Sequence, residues 1–407
     1  MKKSIILIIC ILLLTVSCNS SSKNNKVEKD ITVACYYFPG YHTHLPGDLP
    51  YTKRYSPEWN EWELVKNAVP RFEGHYQPRV PLWGYQDERD PKVMEQKIEA
   101  AVDHGVNVFI FDWYTYESRP FLNRALDEGF LKAKNTNELK FALMWANHDW
   151  MDLFPCEIDQ PYNVLYSALV TSESFDKIGD SLIEHYFTKS NYWLIDGKAY
   201  FSLYEIQKFI ESFGSLKATR FEMEKLEQKA IKAGLKGIHW NLVSYGDPIL
   251  PGGTAPTDTR KIVDELKINS VTSYVWMHHT GMPELVTDYD SVRNQYFKYW
   301  EDVKDLYGVP YYPNVSIGWD SSPRTNPEGK WRSDAGYPFA PTIGSDPDKF
   351  RVALEMTKQK LLADPDGANI FNINCWNEWT EGSYLEPDTV YGMRFLEALK
   401  AVFVNTK

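Results

Sequence analysis

Strand-like and helix-like segments alternate along this chain from residue 32 almost to its end, and this alternation limits the folds that the chain can adopt. Eight short runs are rich in β-branched and aromatic residues, as strands are, and segments with the apolar spacing of helices lie between them. The predicted strands are Thr32–Phe38, Val106–Trp113, Phe141–Trp145, Ala199–Tyr204, Gly237–Leu242, Val271–Trp276, Asn314–Trp319 and Asn369–Trp376. The predicted helices are Met94–His104, Phe121–Ala133, Phe175–Tyr186, Arg220–Ala233, Thr259–Leu266, Asp290–Leu306, Asp348–Leu362 and Met393–Phe403. The pattern predicts a (β/α)8 TIM barrel that forms one domain over residues 31–407.

An open, doubly wound sheet is the alternative interpretation of the same alternation. That fold normally carries a glycine-rich, phosphate-binding turn after its first strand. Here the first strand continues into Phe38-Pro39-Gly40-Tyr41-His42, which is no phosphate cradle. The closed barrel is therefore favoured.

The N-terminus has the features of an export signal. Lys2 and Lys3 precede an apolar run, Ile5–Leu14, that is too short to span a membrane as a mature helix. The run ends in Thr15-Val16-Ser17-Cys18, which resembles a bacterial lipobox. We expect residues 1–18 to be a lipoprotein signal peptide with Cys18 as the lipidated residue, and residues 19–30 to be a polar tether. The protein would then be an exported cell-envelope lipoprotein, facing the periplasm or the cell surface. Simple secretion with cleavage near Cys18 is the alternative.

Charge and composition exclude some partners and favour others. The formal net charge is −11 and no Lys/Arg stripe is present, so nucleic-acid binding is not expected. The 14 Trp, 26 Tyr and 20 Phe residues suit contact with sugar faces, although most of them must be ordinary core. Neither a CxxC nor an HExxH pattern occurs, so the sequence predicts no metal site.

Two acids follow the last predicted strand, in the segment Asn374–Gly382. Glu378 and Glu381 stand three residues apart, among aromatic and amide side chains. A pair of carboxylates at the mouth of a barrel is the usual equipment for cleaving a glycosidic bond, so we predict that both are catalytic. The alternative is a polar loop in which one Glu caps a turn of the backbone.

Polar and aromatic residues also follow other strands, where the active site of a TIM barrel lies. We predict that they bind substrate, and that at least one of the strand-end tryptophans stacks on a sugar ring. Asp112 and Asp149 could instead be catalytic or cap loops, and Arg324 follows the seventh strand closely. The predicted binding residues are Tyr41, His42, Asp112, Trp113, Trp145, Asn147, His148, Asp149, Tyr274, Trp276, Trp319, Asp320 and Asn377.

Five motifs resemble those of WbsX-like proteins, also called glycoside hydrolase family 99-like. They are Tyr36-Tyr37-Phe38-Pro39-Gly40-Tyr41-His42, Gly74-His75-Tyr76-Gln77-Pro78-Arg79, Phe111-Asp112-Trp113-Tyr114, Met144-Trp145-Ala146-Asn147-His148-Asp149-Trp150 and Trp376-Asn377-Glu378-Trp379-Thr380-Glu381-Gly382. The resemblance runs from about residue 33 to the C-terminus in unchanged order.

This resemblance implies a (β/α)8 barrel and an endo-acting hydrolase of α-mannosides. Family 99 places its catalytic pair in an Asn-Glu-Trp-His-Glu-Gly segment, which implies Glu378 and Glu381 as the pair. The chain departs from that segment at Thr380, where the stricter family has His. The implied route is retaining: Glu378 acts as a base on the sugar 2-hydroxyl, which attacks C1, and Glu381 protonates the leaving group and then activates water. The sequence does not distinguish this from direct attack by a carboxylate, and neither route requires a cofactor.

A glycoside hydrolase acting on a glycan or polysaccharide is therefore the predicted function. A glycosyltransferase of polysaccharide biosynthesis is the second hypothesis, because WbsX-like proteins often carry that label. It would need a nucleotide-sugar site, and no convincing pyrophosphate-binding feature is present. A non-catalytic, glycan-binding lipoprotein is the third, although such a protein would tolerate the loss of one acid and this chain has both.

Replacing Cys18 with Ala tests the predicted anchor. We expect the wild-type protein to fractionate with membranes and Cys18→Ala to be released from them, because the variant lacks the thiol that carries the lipid. Immunoblots of membrane and soluble fractions measure this. Wild-type protein that stays unprocessed in the cytosol would contradict the prediction.

Overall fold

The computed structural model describes residues 30–404, apart from residues 53, 54, 57, 247–249, 251, 252, 254–257, 345, 365 and 366. The predicted signal peptide with Cys18, and the tether up to residue 29, lie outside the described residues and stay predictions, as does the domain boundary at residue 31. In the described part of the chain, no helix is both long enough and apolar enough to cross a bilayer.

Nine parallel strands form a nearly closed barrel, which confirms the predicted TIM-barrel fold. They are β1 (Thr32–Tyr37), β2 (Val108–Tyr116), β3 (Lys140–Trp145), β4 (Lys198–Leu203), β5 (Ile238–Val243), β6 (Ser270–Thr272), β7 (Tyr311–Tyr312), β8 (Asn314–Ser316) and β9 (Ile370–Asn374). Their order in the sheet is β7-β6-β5-β4-β3-β2-β1-β9-β8. Only Pro313 separates β7, which pairs with β6, from β8, which pairs with β9. Proline has no N–H to donate, so the strand is interrupted at Pro313. Together, β7 and β8 connect the two ends of the sheet.

Helices surround this barrel. They are α1 (Trp62–Asn67), α2 (Pro91–Asp103), α3 (Ser172–Leu182), α4 (Ile206–Phe213), α5 (Leu216–Lys232), α6 (Thr259–Leu266), α7 (Tyr289–Val303), α8 (Pro347–Ala363) and α9 (Arg394–Phe403). The sequence prediction lacks α1 and α4, which are short. Further strand segments among the described residues are Arg119–Phe121, Trp150–Met151, Val164–Tyr166, Leu194–Ile195, Val286–Thr287, Thr342–Ile343, Asn377–Glu378 and Ser383–Tyr384.

The predicted helix Phe121–Ala133 is wrong in its first part. Arg119–Phe121 pairs with the end of β2 as an antiparallel strand. Leu122 then has a φ of 53°, in the left-handed region that a right-handed helix cannot contain. The chain becomes helical only from Ala125, as a π-type turn followed by a 3-10 turn.

The sixth and seventh strands are shorter than predicted. β6 ends at Thr272, and Trp276–His278 forms a 3-10 turn instead of a strand end. The backbone N–H of Trp276 donates to Oγ of Ser316 over 2.9 Å, so this N–H bonds a side chain instead of the backbone of a neighbouring strand. The chain therefore leaves the sheet after Thr272, and the residues that follow belong to the loops at the C-terminal ends of the strands.

A buried ion cluster holds the end of β9 against α2. Nζ of Lys97, which is 1% exposed, lies 2.6 Å from Oε1 of Glu88 and 2.5 Å from Oε1 of Glu386. Glu386 also accepts hydrogen bonds from the indole N–H groups of Trp376 (2.9 Å) and Trp379 (2.7 Å). These two tryptophans flank Glu378, so the cluster fixes the backbone that carries the predicted catalytic residues.

Replacing Lys97 with Met should destabilise the fold by about 3–5 kcal/mol, because it leaves two carboxylates buried without their cation. Urea unfolding at neutral pH measures the change. Lys177→Met is the matched control: Lys177 pairs with Glu173 at the surface, so its loss should leave the free energy of unfolding close to that of wild type. A Lys97→Met variant as stable as this control would contradict the structural role of the cluster.

Candidate active site

One cavity lies at the C-terminal ends of the barrel strands, where a TIM barrel carries its active site. The space inside it, which is open to solvent, is about 580 Å³. Its lining residues are Phe38, Tyr51, Asp112, Tyr114, Met144, Ala146, His148, Trp150, Phe154, Tyr204, Leu250, Tyr274, Arg324, Glu378 and Glu381. Among the described residues, no group of three or more His, Cys, Asp or Glu side chains is arranged to hold a metal ion.

The loop after β9 places both predicted catalytic acids in this cavity. Asn377–Glu378 pairs with Ser383–Tyr384 in a small antiparallel ladder, and Trp379–Glu381 forms a 3-10 turn between them. The turn brings the side chains of Glu378 and Glu381 to the same side. Both are almost fully buried, at 3% and 6% exposure.

Gly382 lets this turn close tightly. Its φ is 65°, and a Cβ at this position would lie 2.8 Å from Cβ of Asp320, so any larger residue would be strained and would clash. The backbone N–H of Asp320 donates to the carbonyl of Glu381 over 2.6 Å. The side chain of Asp320 accepts hydrogen bonds from His75 (2.8 Å) and Gln77 (2.7 Å), so the Gly74–Arg79 motif supports the loop that bears Glu381.

Arg324 joins the two acids. Its Nη2 donates to Oε1 of Glu378 over 2.9 Å, and its Nη1 donates to Oε1 of Glu381. Its Nε donates to Oγ1 of Thr380 over 3.1 Å, and this residue stands where the resembled family has His. The guanidinium also lies 4.8 Å from the ring centroid of Phe154. The contacts with Thr380 and Phe154 fix the guanidinium, and the guanidinium in turn keeps the two carboxylates at fixed positions.

Tyr274 joins Glu378 to a third acid. Its hydroxyl lies 2.9 Å from Oε2 of Glu378 and 2.9 Å from Oδ2 of Asp112. Asp112 is 3% exposed, and its Oδ1 has no hydrogen-bond partner among the described residues. On the other side of Arg324, Oε2 of the fully buried Glu61 lies 3.8 Å from Nε.

Burial makes these carboxyl groups harder to ionise. Burial raises the pKa of Glu378 well above its ordinary value; Glu381 and Asp112 add to the rise, and Arg324 opposes it. Burial likewise raises the pKa of Glu381, against Arg324 and a hydrogen bond from Tyr337. Burial also raises the pKa of Asp112, against its hydrogen bond from Tyr274. A site with several acids and one cation retains protons near neutral pH, which acid catalysis requires.

The cavity brings together five of the residues predicted from the sequence: Glu378, Glu381, Asp112, Tyr274 and His148. Burial lowers the pKa of His148 to about 4, so this imidazole is neutral near pH 7. The remaining predicted residues are not among the described residues that line the cavity.

The strand-end tryptophans predicted to stack on substrate are not among the described residues that line the cavity, and their contact with substrate stays a prediction. Trp145 packs on Phe175 and Phe209, which belong to α3 and α4, and Trp113 packs on Trp145. Successive residues of a strand point to opposite faces, and Trp113 and Trp145 pair in register next to Asp112 and Met144, which line the cavity. The tryptophans therefore face the helices.

Trp276 and Trp319 are also fully buried away from the cavity. Trp276 donates its indole N–H to the carbonyl of Asn314 over 2.8 Å and packs on Tyr289 and Tyr296. Trp319 lies against Tyr337. Both support the walls of the site.

Two predicted amide ligands instead join strand ends. The side chain of Asn377 accepts from the backbone N–H of Phe38 (2.9 Å) and donates to its carbonyl (2.7 Å). The side chain of Asn147 makes the same pair of bonds with the backbone of Glu205, both at 2.8 Å. These bonds use the side-chain oxygen and nitrogen of each residue, and their contact with substrate stays a prediction.

Four other predicted ligands hold loops near the cavity. Tyr41 accepts the backbone N–H of Thr380 over 3.2 Å, and His42 is buried beside the carbonyl of Thr43. Asp149 accepts from the backbone of Ala168 (2.8 Å) and pairs with Lys208, beside a smaller neighbouring cavity. Asp320 supports the Glu381 loop as described above. None of the four is among the described residues that line the cavity, and their direct role in substrate binding stays a prediction.

The sequence analysis missed several residues of the site. Tyr114 lies two positions after Asp112 on β2, so the two-residue period of a strand would have identified it. Tyr337 donates to Oε1 of Glu381 over 2.7 Å, and Glu61 precedes α1 beside Arg324. No local pattern marks Tyr337 or Glu61, because both reach the site through long connections.

Comparison with known proteins gives a family match over most of the chain. The model of the family described as "Glycosyltransferase WbsX" matches residues 33–399. Two relatives from Xanthomonas campestris pv. campestris, strains B100 and ATCC 33913, are both named "Uncharacterized protein WxcX" and are 25% identical over 381 residues. The match covers 91% of this chain and 49% of each relative. The chain thus spans about half the length of the curated relatives it matches.

Solved structures share the fold. A GH99 endo-alpha-mannosidase from Bacteroides thetaiotaomicron, in complex with bis-tris-propane, matches with a TM-score of 0.55 and 13% identity, over 91% of this chain and 95% of its own. A "Glycoside hydrolase-like protein" matches with a TM-score of 0.56 and 13% identity, over 94% of this chain and 96% of its own. At this level of identity the likeness shows the fold alone.

Replacing Glu378 with Gln should stabilise the fold at neutral and alkaline pH. The pKa of Glu378 is raised above the ordinary 4.5, so its contribution to stability is present at low pH and is lost as the pH rises through the folded value. Gln cannot ionise and does not suffer this loss. We expect an advantage of about 1.4 kcal/mol for each unit by which the pKa is raised, and none below about pH 4.

Urea unfolding of both proteins between acid and alkaline pH measures this difference. The exposed Glu355→Gln is the control and should stay within about 0.5 kcal/mol of wild type throughout. A Glu378→Gln variant that gains nothing as the pH rises would contradict the raised pKa.

Proposed function

Because the chain belongs to the WbsX glycosyltransferase family and its barrel has the fold of the GH99 structures, we propose that it is a glycoside hydrolase. Its substrate is a glycan or polysaccharide, bound in the cavity at the C-terminal ends of the strands. The single observation that carries the proposal is the pair of buried acids, Glu378 and Glu381, joined by Arg324. Because both acids accept from one guanidinium, their carboxyl groups lie near each other, as a catalytic pair requires.

Glu381 is the proposed acid. Its pKa is raised by burial, and the hydroxyl of Tyr337 and the guanidinium of Arg324 fix its orientation. It protonates the leaving oxygen and then removes a proton from the incoming water, as acid–base catalysis requires.

Glu378 is the proposed base. Burial raises its pKa, but Arg324 and Tyr274 each donate to one of its oxygens, and both bonds oppose that rise by stabilising the ionised form. In the proposed route it removes the proton of the sugar 2-hydroxyl, which attacks C1; the α-mannoside-like substrate is part of this proposal. Direct attack by the carboxylate is the alternative within the same assignment.

Replacing either acid with Gln should lower turnover by roughly 10²-fold or more, the scale of acid–base catalysis. Purified protein is first screened against diverse glycans, with the products identified by mass spectrometry, and the variants are then compared on the substrate found. Glu355→Gln serves as the control for expression and handling. An activated substrate with a good leaving group should partly rescue Glu381→Gln, because proton donation then matters less, but not Glu378→Gln. Near-wild-type hydrolysis by both Gln variants would contradict the assignment.

Glycosyl transfer from a nucleotide sugar is the second candidate, since the family carries that description. Saturation-transfer NMR with nucleotide sugars and with free oligosaccharides separates the two functions. The hydrolase proposal expects binding of oligosaccharides but not of the nucleotide moiety.

We also propose that the protein is exported and anchored to the cell envelope through Cys18. The support is the N-terminal pattern of basic, apolar and lipobox-like residues. An anchored hydrolase would meet glycans outside the cytoplasm, where a nucleotide-sugar donor is not supplied.

A further inference from the structure

The hydroxyl of Tyr274 lies between two carboxyl groups. It is 2.9 Å from Oδ2 of Asp112 and 2.9 Å from Oε2 of Glu378, and all three side chains are buried. A phenol has one hydrogen to donate and can accept through its oxygen. One of the two contacts therefore uses the hydrogen of Tyr274, and the other is made by a carboxylic acid that donates to Tyr274.

The groups around this triad decide which acid keeps the proton. Nη2 of Arg324 donates to Oε1 of Glu378 over 2.9 Å, which favours the ionised form of Glu378. Asp112 has no such partner, because its Oδ1 accepts no hydrogen bond from any described residue. A buried carboxylate oxygen without a donor is costly, whereas a neutral acid tolerates it.

The phenols and thiols around the triad are neutral. Burial raises the pKa of each of the surrounding phenols and thiols, so they keep their protons near pH 7. These neighbours are Tyr36, Tyr114, Tyr204, Cys35 and Cys375. Arg324 is thus the only cation among the described residues that line the cavity, and it lies on the side of Glu378.

We propose that Asp112 is a carboxylic acid in the resting protein, that it donates its proton to the hydroxyl of Tyr274, and that Tyr274 donates its own hydrogen to the ionised Glu378. The protons balance: moving the Asp112 proton to Tyr274 and the Tyr274 hydrogen to Glu378 yields ionised Asp112 and neutral Glu378, with no net change. Asp112 is a positioning residue, because it acts on Glu378 through Tyr274.

The relay has a consequence for catalysis that rests on the proposed function. With the proton held on Asp112, the like charge nearest the base is removed and the phenol becomes a stronger donor to it. Glu378 then stays ionised at lower pH than it would beside an ionised Asp112. The chain therefore has a residue that keeps the base ready through Tyr274.

Infrared difference spectroscopy of the substrate-free protein tests the resting state. We expect wild type minus Asp112→Asn at pH 7 to show the carbonyl band of one protonated carboxylic acid, and its shift on selective ¹³C labelling of aspartate identifies it. Tyr274→Phe should keep the band but move it to higher wavenumber, because the acid loses its acceptor. Glu227→Gln is the control, because that side chain lies outside the triad and accepts two hydrogen bonds from Arg220, and it should remove no such band.

A wild-type spectrum without an aspartic acid band, or a Tyr274→Phe spectrum in which the band does not move, would overturn the proposal. Tyr274→Phe keeps the test decisive if Asp112→Asn does not fold. This arm needs no substrate, so it decides the relay even if the protein hydrolyses no glycan.

The second arm uses turnover once a substrate is known. Tyr274→Phe should move the acidic limb of the pH–rate profile to higher pH, because Glu378 loses a donor that stabilises its ionised form. Asp112→Asn should retain on the order of tenfold more turnover than Asp112→Ala, since the amide N–H can replace the acid O–H as donor to Tyr274. An unmoved limb in Tyr274→Phe, or equal turnover in the two Asp112 variants, would overturn the catalytic role of the relay.

Discussion

A single buried guanidinium, that of Arg324, faces the carboxyl groups of Glu378, Glu381 and Glu61. Placing one cation among several acids away from water is costly unless some acids keep their protons and every charge is hydrogen-bonded. In the site, burial raises the pKa of Asp112 and of Glu381, and Arg324 donates to Glu378 and Glu381. Because the carboxyl groups outnumber the cation, some of them keep their protons, and the proposed chemistry uses these protons.

Such an arrangement persists only on a rigid support. The barrel fixes β9, the Lys97 cluster fixes the tryptophans on either side of Glu378, and the Asp320 contacts fix the turn that carries Glu381. Each support lies outside the cavity, so the residues that fix the acids are not those that line the site. The stability of the rest of the fold therefore offsets the cost of burying these acids together, as is common at functional sites.

Much of the fold could be predicted from the sequence, because strand and helix periods are local properties. The acids could be predicted for the same reason: Glu378 and Glu381 belong to one short segment after one strand. The tryptophans could not be assigned by position alone. Trp113 and Trp145 differ by one residue from Asp112 and Met144, and in a strand one residue decides between the cavity and the helix layer. The role of Arg324 required the closed barrel, because it depends on contacts between residues 54 and 57 positions apart.

The same charges argue for hydrolysis over transfer. A nucleotide-sugar donor would bring a pyrophosphate into the cavity, and pyrophosphate sites normally offer backbone N–H groups at a helix N-terminus or free cations. Here Arg324 is the one cation among the described lining residues, and four of its five N–H groups already donate to Glu378, Glu381, Tyr337 and Thr380. A negatively charged nucleotide sugar would therefore face the carboxyl groups of the cavity without a free cation among the described lining residues. A neutral sugar has no such conflict: its hydroxyl groups can donate to the carboxylate oxygens, and the rings of Tyr114, Trp150 and Tyr204 can pack against its apolar face.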